Sequence, residues 1–225
     1  KNVTQNTFYS TIQSAINVAA INDVIELAEW TFNELVTIDK SLTLKGSTSD
    51  KTKHVLNGTG LTLAALSGGI TINSGVTGVT IQNLTVQNFT GAGGNANAGI
   101  YGLLSNNNLT IANVAMLNNP TASGFYANGP VNNVSITNSM AVNNGGSARG
   151  IVIWNGMKSN ITITGNMVTN NSCCGIELQD GDASGVNISG NTIDIGGGDN
   201  AIGVVGLNTS VGANTINSNI ITGGG

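Results

Sequence analysis

The chain has 225 residues, of which 8% are charged, with a net charge of −4 and a pI of about 4.6. Ordinary soluble domains carry about 25% charged residues, so amides and hydroxyls must hydrate this surface. The balance excludes nucleic acid, which needs a basic face, and an anionic membrane surface, and no run of 18 apolar residues offers a membrane-spanning helix.

Apolar residues make up 40% of the chain and are regularly placed, which predicts a packed core and not a disordered polymer. No signal peptide is visible, and the chain opens at Lys1 in the manner of a processed secreted protein. From Ser10, the stretch STIQSAINVAA puts Ile12, Ala15, Ile16 and Ala19 on one helical face, and Ser10 and Gln13 have capping-box spacing. Strand-like DVIEL, LVTIDKSLTLKG and LTLAAL follow. The single histidine, His54, lies in the charged stretch SDKTKHV and is expected to be solvated. From Leu61 to Ala148 there is no Asp, Glu, Lys or Arg.

A repeat then takes over. VTIQNLTVQN, LTIANVAMLNN, VSITNSMAVNN, ITITGNMVTNN, VNISGNTIDI and NTINSNIIT align on Ile81, Ile111, Ile136, Ile163, Ile188 and Ile216, at spacings of 30, 25, 27, 25 and 28. A second motif alternates with it: GIYGL, GFYAN, GIVIW, GIELQ and AIGVV start at Gly99, Gly124, Gly150, Gly175 and Ala201, spaced 25, 26, 25 and 26 apart. Both alternate apolar and polar residues, the period of a strand with one buried face. One such turn cannot bury its face alone, but stacked copies make a continuous core. The isoleucines predict one interior column, and Ile100, Phe125, Ile151, Ile176 and Ile202 predict another. Asn83, Asn113, Asn138, Asn166, Asn191 and Asn219, then Asn88, Asn118, Asn143 and Asn170, mark corners, since Asn tolerates left-handed backbone and stacked amides can form a ladder. Sequons such as Asn83-Leu84-Thr85 read as by-products of this repeat.

With these motifs the chain resembles right-handed parallel β-helices of the pectin-lyase-like kind, and the bacterial parallel β-helix repeat proteins in particular. The resemblance covers nearly the whole chain. It implies an all-β solenoid of about 25–27 residues per turn with a short N-terminal capping helix, as one domain over 1–225: cap and first turns in 1–46, repeat turns in 47–225. Asn22 and Glu29-Trp30 stand where similar proteins often carry Gly and Pro-Gly. Gly223-Gly224-Gly225 supply no evident cap, so the far end is expected to be continued by further chain or covered by an end-to-end protein contact.

Two outward faces could carry chemistry. On the Gly-Ile motif, Tyr101, Tyr126 and Trp154 form an aromatic strip, with Glu177 and Gln179 beyond it. Flat sugar rings stack on such a strip and amides bond their hydroxyls. The alternative is ordinary packing beneath loops. In NNSCCGIELQDGDASG, Glu177, Asp180 and Asp182 lie near Lys158 and Arg149, which could serve a glycosidase or, by proton abstraction with a cation steadying the enolate, a lyase. A surface ion pair between Lys158 and Asp182 is the simpler expectation. The Asp-pair, Gly-His-Gly and Arg-x-Lys signatures of polygalacturonase-like members are absent, and no catalytic residue carries over. No cofactor is required. Asp180 and Asp182, with Asp194 or Asp199, could at most hold calcium weakly. Cys173 and Cys174 are expected to be free thiols or an occasional strained bridge. Zinc is not expected without a nearby His or further Cys. On the other strand, Thr80, Thr110, Ser135, Thr162 and Thr215 form an outward rank like that of ice-binding solenoids, broken at Asn187.

These observations predict a secreted or cell-surface bacterial module that binds polysaccharide, or mediates adhesion, without cleaving it. The alternatives are a lyase or hydrolase, a passive adhesin spacer, and an ice-binding solenoid.

Overall fold

The alternating motifs close into two stacked sheets. The computed structural model describes residues 1–91, 97–146, 149–196 and 199–223. Within them the chain winds as a right-handed parallel β-helix of about seven turns, the architecture expected from the repeat. A broad sheet of 15 strands and a narrow one of seven run the length of the coil.

Register follows the sequence columns. In the broad sheet Leu44, Ile81, Ile111, Ile136, Ile163 and Ile188 stack in that order, every one fully buried. In the narrow sheet Val36, Ile70, Ile100, Phe125, Ile151 and Ile176 do the same. Each such side chain contributes about 1.5–3 kcal/mol by leaving water. The column breaks at its end. Ile216 is in register with Ile188 but 43% exposed, because no further described rung covers it, and Ile202 is only half-buried.

The asparagine corners divide into two classes that the sequence pattern merged. Asn83, Asn113 and Asn138 have φ of 58°, 53° and 50°, and Asn88, Asn118, Asn143 and Asn170 lie between 52° and 61°. They make the bend itself. The next residue points inward and builds the ladder. Asn119 Nδ2 donates to Asn144 Oδ1, and Asn144 Nδ2 to Asn171 Oδ1, each at 2.8 Å. At the other corner Asn166 Nδ2 donates to Asn191 Oδ1 at 3.0 Å and Asn191 Nδ2 to Asn219 Oδ1 at 2.9 Å. The same oxygens accept backbone N–H groups from the preceding rung, as between Asn166 N and Asn191 Oδ1 at 3.0 Å. Asn166 and Asn191 therefore belong to the ladder and not to the bends, whose positions there are Gly165 and Gly190.

This ladder explains the glycine of the Gly-Ile motif. A Cβ on Gly150 would lie 2.3 Å from Val168 Cγ1 and 2.8 Å from Asn171 Nδ2. One on Gly124 would lie 2.9 Å from Ala141 Cβ and 3.1 Å from Asn144 Nδ2. The strand starts with no side chain because an inward corner side chain, the next rung's carbonyl and, at Gly124 and Gly150, the ladder amide already fill that space.

A helix, Ile12–Val18, covers the first turn and buries Ile12, Ala15 and Ile16. Its capping box is Thr11 with Ser14, one residue beyond the expected Ser10–Gln13 pair. The Glu34 carboxylate adds a second cap, accepting from Ile12 N at 2.9 Å and Gln13 N at 3.0 Å. His54 is not solvated as expected. It is fully buried, with Nδ1 3.0 Å from Ala28 O and Nε2 3.2 Å from Thr48 N. Neighbours in space, not the charged neighbours in sequence, decide its environment.

Candidate functional site

The outer face of the narrow sheet gathers most of the expected residues. One outward row runs Thr71, Tyr101, Tyr126, Val152, Glu177, Gly203. Beside it lie Asn128, Trp154 and Gln179, and on the other side Arg149, Cys174 and Asn200.

Tyr101 and Tyr126 point outward as expected but are not exposed. They retain 1% and 7% of their surface. Their rings stack 4.9 Å apart and 2° from parallel, and pack with Ala98, Val152, Leu103 and Trp154 as a small second core outside the coil. Burial pushes the Tyr101 phenol up to about 12, with Tyr126 adding to it. Burial raises Tyr126 too, against the pull of Arg149. Two rings of the strip are thus packing, and Trp154 is half-buried.

Glu177 is 1% exposed. Its Oε2 accepts from Arg149 Nε in an ion pair, and its Oε1 accepts from Gln179 Nε2 at 2.9 Å and Asn200 Nδ2 at 3.5 Å. The Arg149 guanidinium lies over the Trp154 indole, 5.0 Å from the ring centroid. Arg149, Trp154, Glu177 and Gln179 therefore form one connected cluster. Sequence reasoning put Arg149 near Glu177 but did not read the two as an ion pair; Arg149 is in register with Cys174 and reaches Glu177 from there. Asn200 was missed as well. The available signal was the spacing: Arg149 and Glu177 lie 28 residues apart, one turn plus a step to the next outward row.

The other candidates do not join this cluster. Lys158 is fully buried, and Nζ donates to the carbonyls of Gly156 at 2.8 Å, Gly181 at 3.4 Å and Gln179. The expected ion pair with Asp182 is not among those of the described residues. Instead the Lys158 N–H donates to Asp182 O at 2.8 Å. Burial pulls the Lys158 ammonium below its ordinary pKa, while Asp180 and Asp182 push it back up. Asp180 holds a left-handed turn at φ 53°. Asp194 lies in the broad sheet, where its carboxylate accepts from Gly196 N at 3.0 Å. The four aspartates considered for calcium are not brought together: among the described residues the one group of three ligating side chains is Cys173, Cys174 and Asp199. Cys173 and Cys174 are joined as a disulfide.

A cleft that sequence reading did not point to opens at the helix-capped end. It encloses about 380 Å3 between Phe8, Tyr9, Ile12, Ile25, Glu29 and Phe32. Phe8 and Trp30 nearby are 77% and 69% exposed. No described helix is long and apolar enough to cross a membrane.

No family model matches this sequence, and no curated protein is significantly similar to it. The solved structures similar in fold include two of pectin methylesterase from Aspergillus niger, one penultimately deglycosylated and one deglycosylated. Each is 17% identical over 97% of this chain, covering 73% and 84% of the other chain, with TM-scores of 0.43 and 0.44. Likeness at this level transfers no residue role.

Proposed function

We propose that the protein is a secreted or cell-surface module that binds polysaccharide and does not cleave it. The observation that carries this reading is the half-buried Trp154, set on a flat parallel sheet between Asn128 and Gln179 in register. An indole flanked by amides offers a sugar ring a stacking face and its hydroxyls hydrogen-bond partners. The non-catalytic part rests on three of the candidates, Glu177, Arg149 and Lys158, being engaged already. Both oxygens of Glu177 have donors, and the Lys158 ammonium is held by carbonyls. A glycosidase needs one carboxyl free to donate a proton and a second to receive the sugar or a water. Tyr101 and Tyr126 support the Trp154 platform from below and do not touch the ligand in this reading.

Native affinity electrophoresis against acidic and neutral polysaccharides, with polymer size checked in each lane, tests it. Retardation with intact polymer is expected, and Trp154→Ala should weaken it about tenfold, the equivalent of about 1.4 kcal/mol of stacking. Trp30→Ala, at the opposite end of the coil, should leave it unchanged. Shortened polymer would overturn the non-catalytic part. Full retention by Trp154→Ala would overturn the platform.

A further inference from the structure

We propose that Cys173, Cys174 and Asp199 form a site for a thiophilic divalent cation of the zinc or cadmium class once the disulfide between the two cysteines is reduced. This goes beyond polysaccharide binding and does not depend on it. The two sulfurs and a carboxylate oxygen all lie within 4.8 Å of one another. In a tetrahedral site with metal–sulfur bonds of about 2.3 Å and metal–oxygen bonds of about 2.1 Å, donor atoms sit roughly 3.5 Å apart. Rotation of the freed cysteine side chains and an approach of about 1 Å by the carboxylate would complete that arrangement.

The backbone already fixes the partners. Cys174 starts the strand Cys174–Gln179, in register with Arg149 on one side and Asn200 on the other. The Asp199 N–H donates to Cys173 O at 2.8 Å, which ties the carboxylate's residue across the rung to the cysteine pair. Arg149, the nearest cation in register, is neutralised by Glu177 and does not oppose a metal ion. Access is graded: Cys174 is 3% exposed, Cys173 is half-buried and Asp199 is exposed, so the site opens to solvent on the Asp199 side. Three protein donors leave a fourth position for water, the pattern of an open site. Two thiolates select a soft cation over calcium or magnesium. Sequence reading did not expect zinc, for want of a nearby His or further Cys to serve as the third ligand. The coil supplies it 25 residues on, from the next rung.

The chemistry balances. A phosphine reductant gives two electrons to the disulfide and is oxidised to the phosphine oxide, taking its oxygen from water. The S–S bond breaks and the two protons of that water end on the two sulfurs as thiols. The cation then displaces both protons to solvent. A cellular thiol would act by exchange, closing to its own disulfide.

The test uses the whole chain, reduced with a phosphine so that no competing thiol remains, thiol content confirmed by titration and fold by circular dichroism. Cadmium is added and the thiolate-to-cadmium charge-transfer absorbance followed. We expect saturation at one equivalent in the reduced protein and no band in the oxidised protein. Cys173→Ser and Cys174→Ser should each lose tight stoichiometric binding. Asp199→Asn should keep the band and bind at least tenfold more weakly, while Asp194→Asn, on the other sheet, should match the parent. A reduced, folded protein without stoichiometric cadmium binding would overturn the proposal. So would a disulfide that resists reduction until the protein unfolds, or an Asp199→Asn affinity equal to the parent's.

Discussion

The inner corners of the coil and the outer face of its narrow sheet both bury polar side chains, and they satisfy them by different means. At the corners Asn119, Asn144 and Asn171 are neutral and identical: Asn119 donates to Asn144 and Asn144 to Asn171, and backbone groups such as Phe89 N–H and Ala141 O complete the two ends. The arrangement works at any rung, because its partners are copies of the same amide or the backbone of the coil itself. On the outer face Arg149 and Glu177 meet once, and Gln179, Asn200 and the Trp154 ring complete their surroundings. A buried charge needs a dedicated partner and cannot be propagated along the axis. The difference teaches why the middle of the chain carries no charged residue over a long span, and why the charges that return near its end cluster where they do.

Substitutions sharpen that contrast. Asn144→Leu should be the most damaging, since it takes the acceptor from both the Asn119 side-chain amide and the Asn119 backbone N–H, and removes a side-chain donor from Asn171 Oδ1 and Met116 O at once. A loss of about 4 kcal/mol is expected in chemical denaturation, at the usual cost of buried groups left without partners. Lys158→Met should cost about 3 kcal/mol by removing the ammonium from its carbonyls, with polysaccharide binding retained. If Lys158→Met were neutral, the carbonyl cage would be incidental. Glu177→Gln keeps the shape but removes the ion pair with Arg149, and about 2 kcal/mol should be lost. Asn143→Ala, at a left-handed bend of φ 58°, should cost only about 1 kcal/mol, because the bend is strained for Ala but no buried ladder group is orphaned.

The smallest effect concerns acid. The hydrogen bond from the Asn2 side chain, with further help from Ala20 N, Gln5 and Lys40, holds the Asp23 carboxyl below its ordinary range. A lowered folded-state pKa contributes stability that is fully present above about 3.9 and is lost as pH falls through the lowered value. Thermal melts across the acid range should show this loss in the parent and not in Asp23→Asn. Parallel curves for the two proteins would remove Asp23 from the acid response.

Much of this architecture was legible in the sequence, for a definite reason. Strand alternation fixes which side chains face inward, and the recurring motif aligns them although its spacing varies from 25 to 30, so Ile81 to Ile188 could be read as one column from the sequence. The same logic correctly turned Tyr101 and Tyr126 outward. It could not tell outward from exposed, because the rings cover each other and Val152 covers them. The capping box slipped by one residue because Ser10, Thr11 and Ser14 offer the same hydroxyl chemistry. His54 was misjudged because its partners, Ala28 and Thr48, come from the rung geometry and not from the lysines beside it. The pairing of Arg149 with Glu177 was missed because the contact joins different rows of successive turns, which a single aligned column does not display, and Asp199 was missed beside Cys173, one turn away in the same row, because both lie just outside the aligned motif.

The amide ladder has a consequence for how such a chain can change length. Asn119 and Asn144 are 25 residues apart, and each presents the same donor and acceptor to its neighbours. Tandem duplication of one such segment would insert a new coil whose corner amide fits both the old copy and the next, lengthening the rod by about 4.8 Å. An insertion of half a segment would put a bend residue where the ladder needs an inward amide and would interrupt the stack. Heredity can therefore lengthen or shorten this molecule in whole coils, as a zip is sold by the tooth.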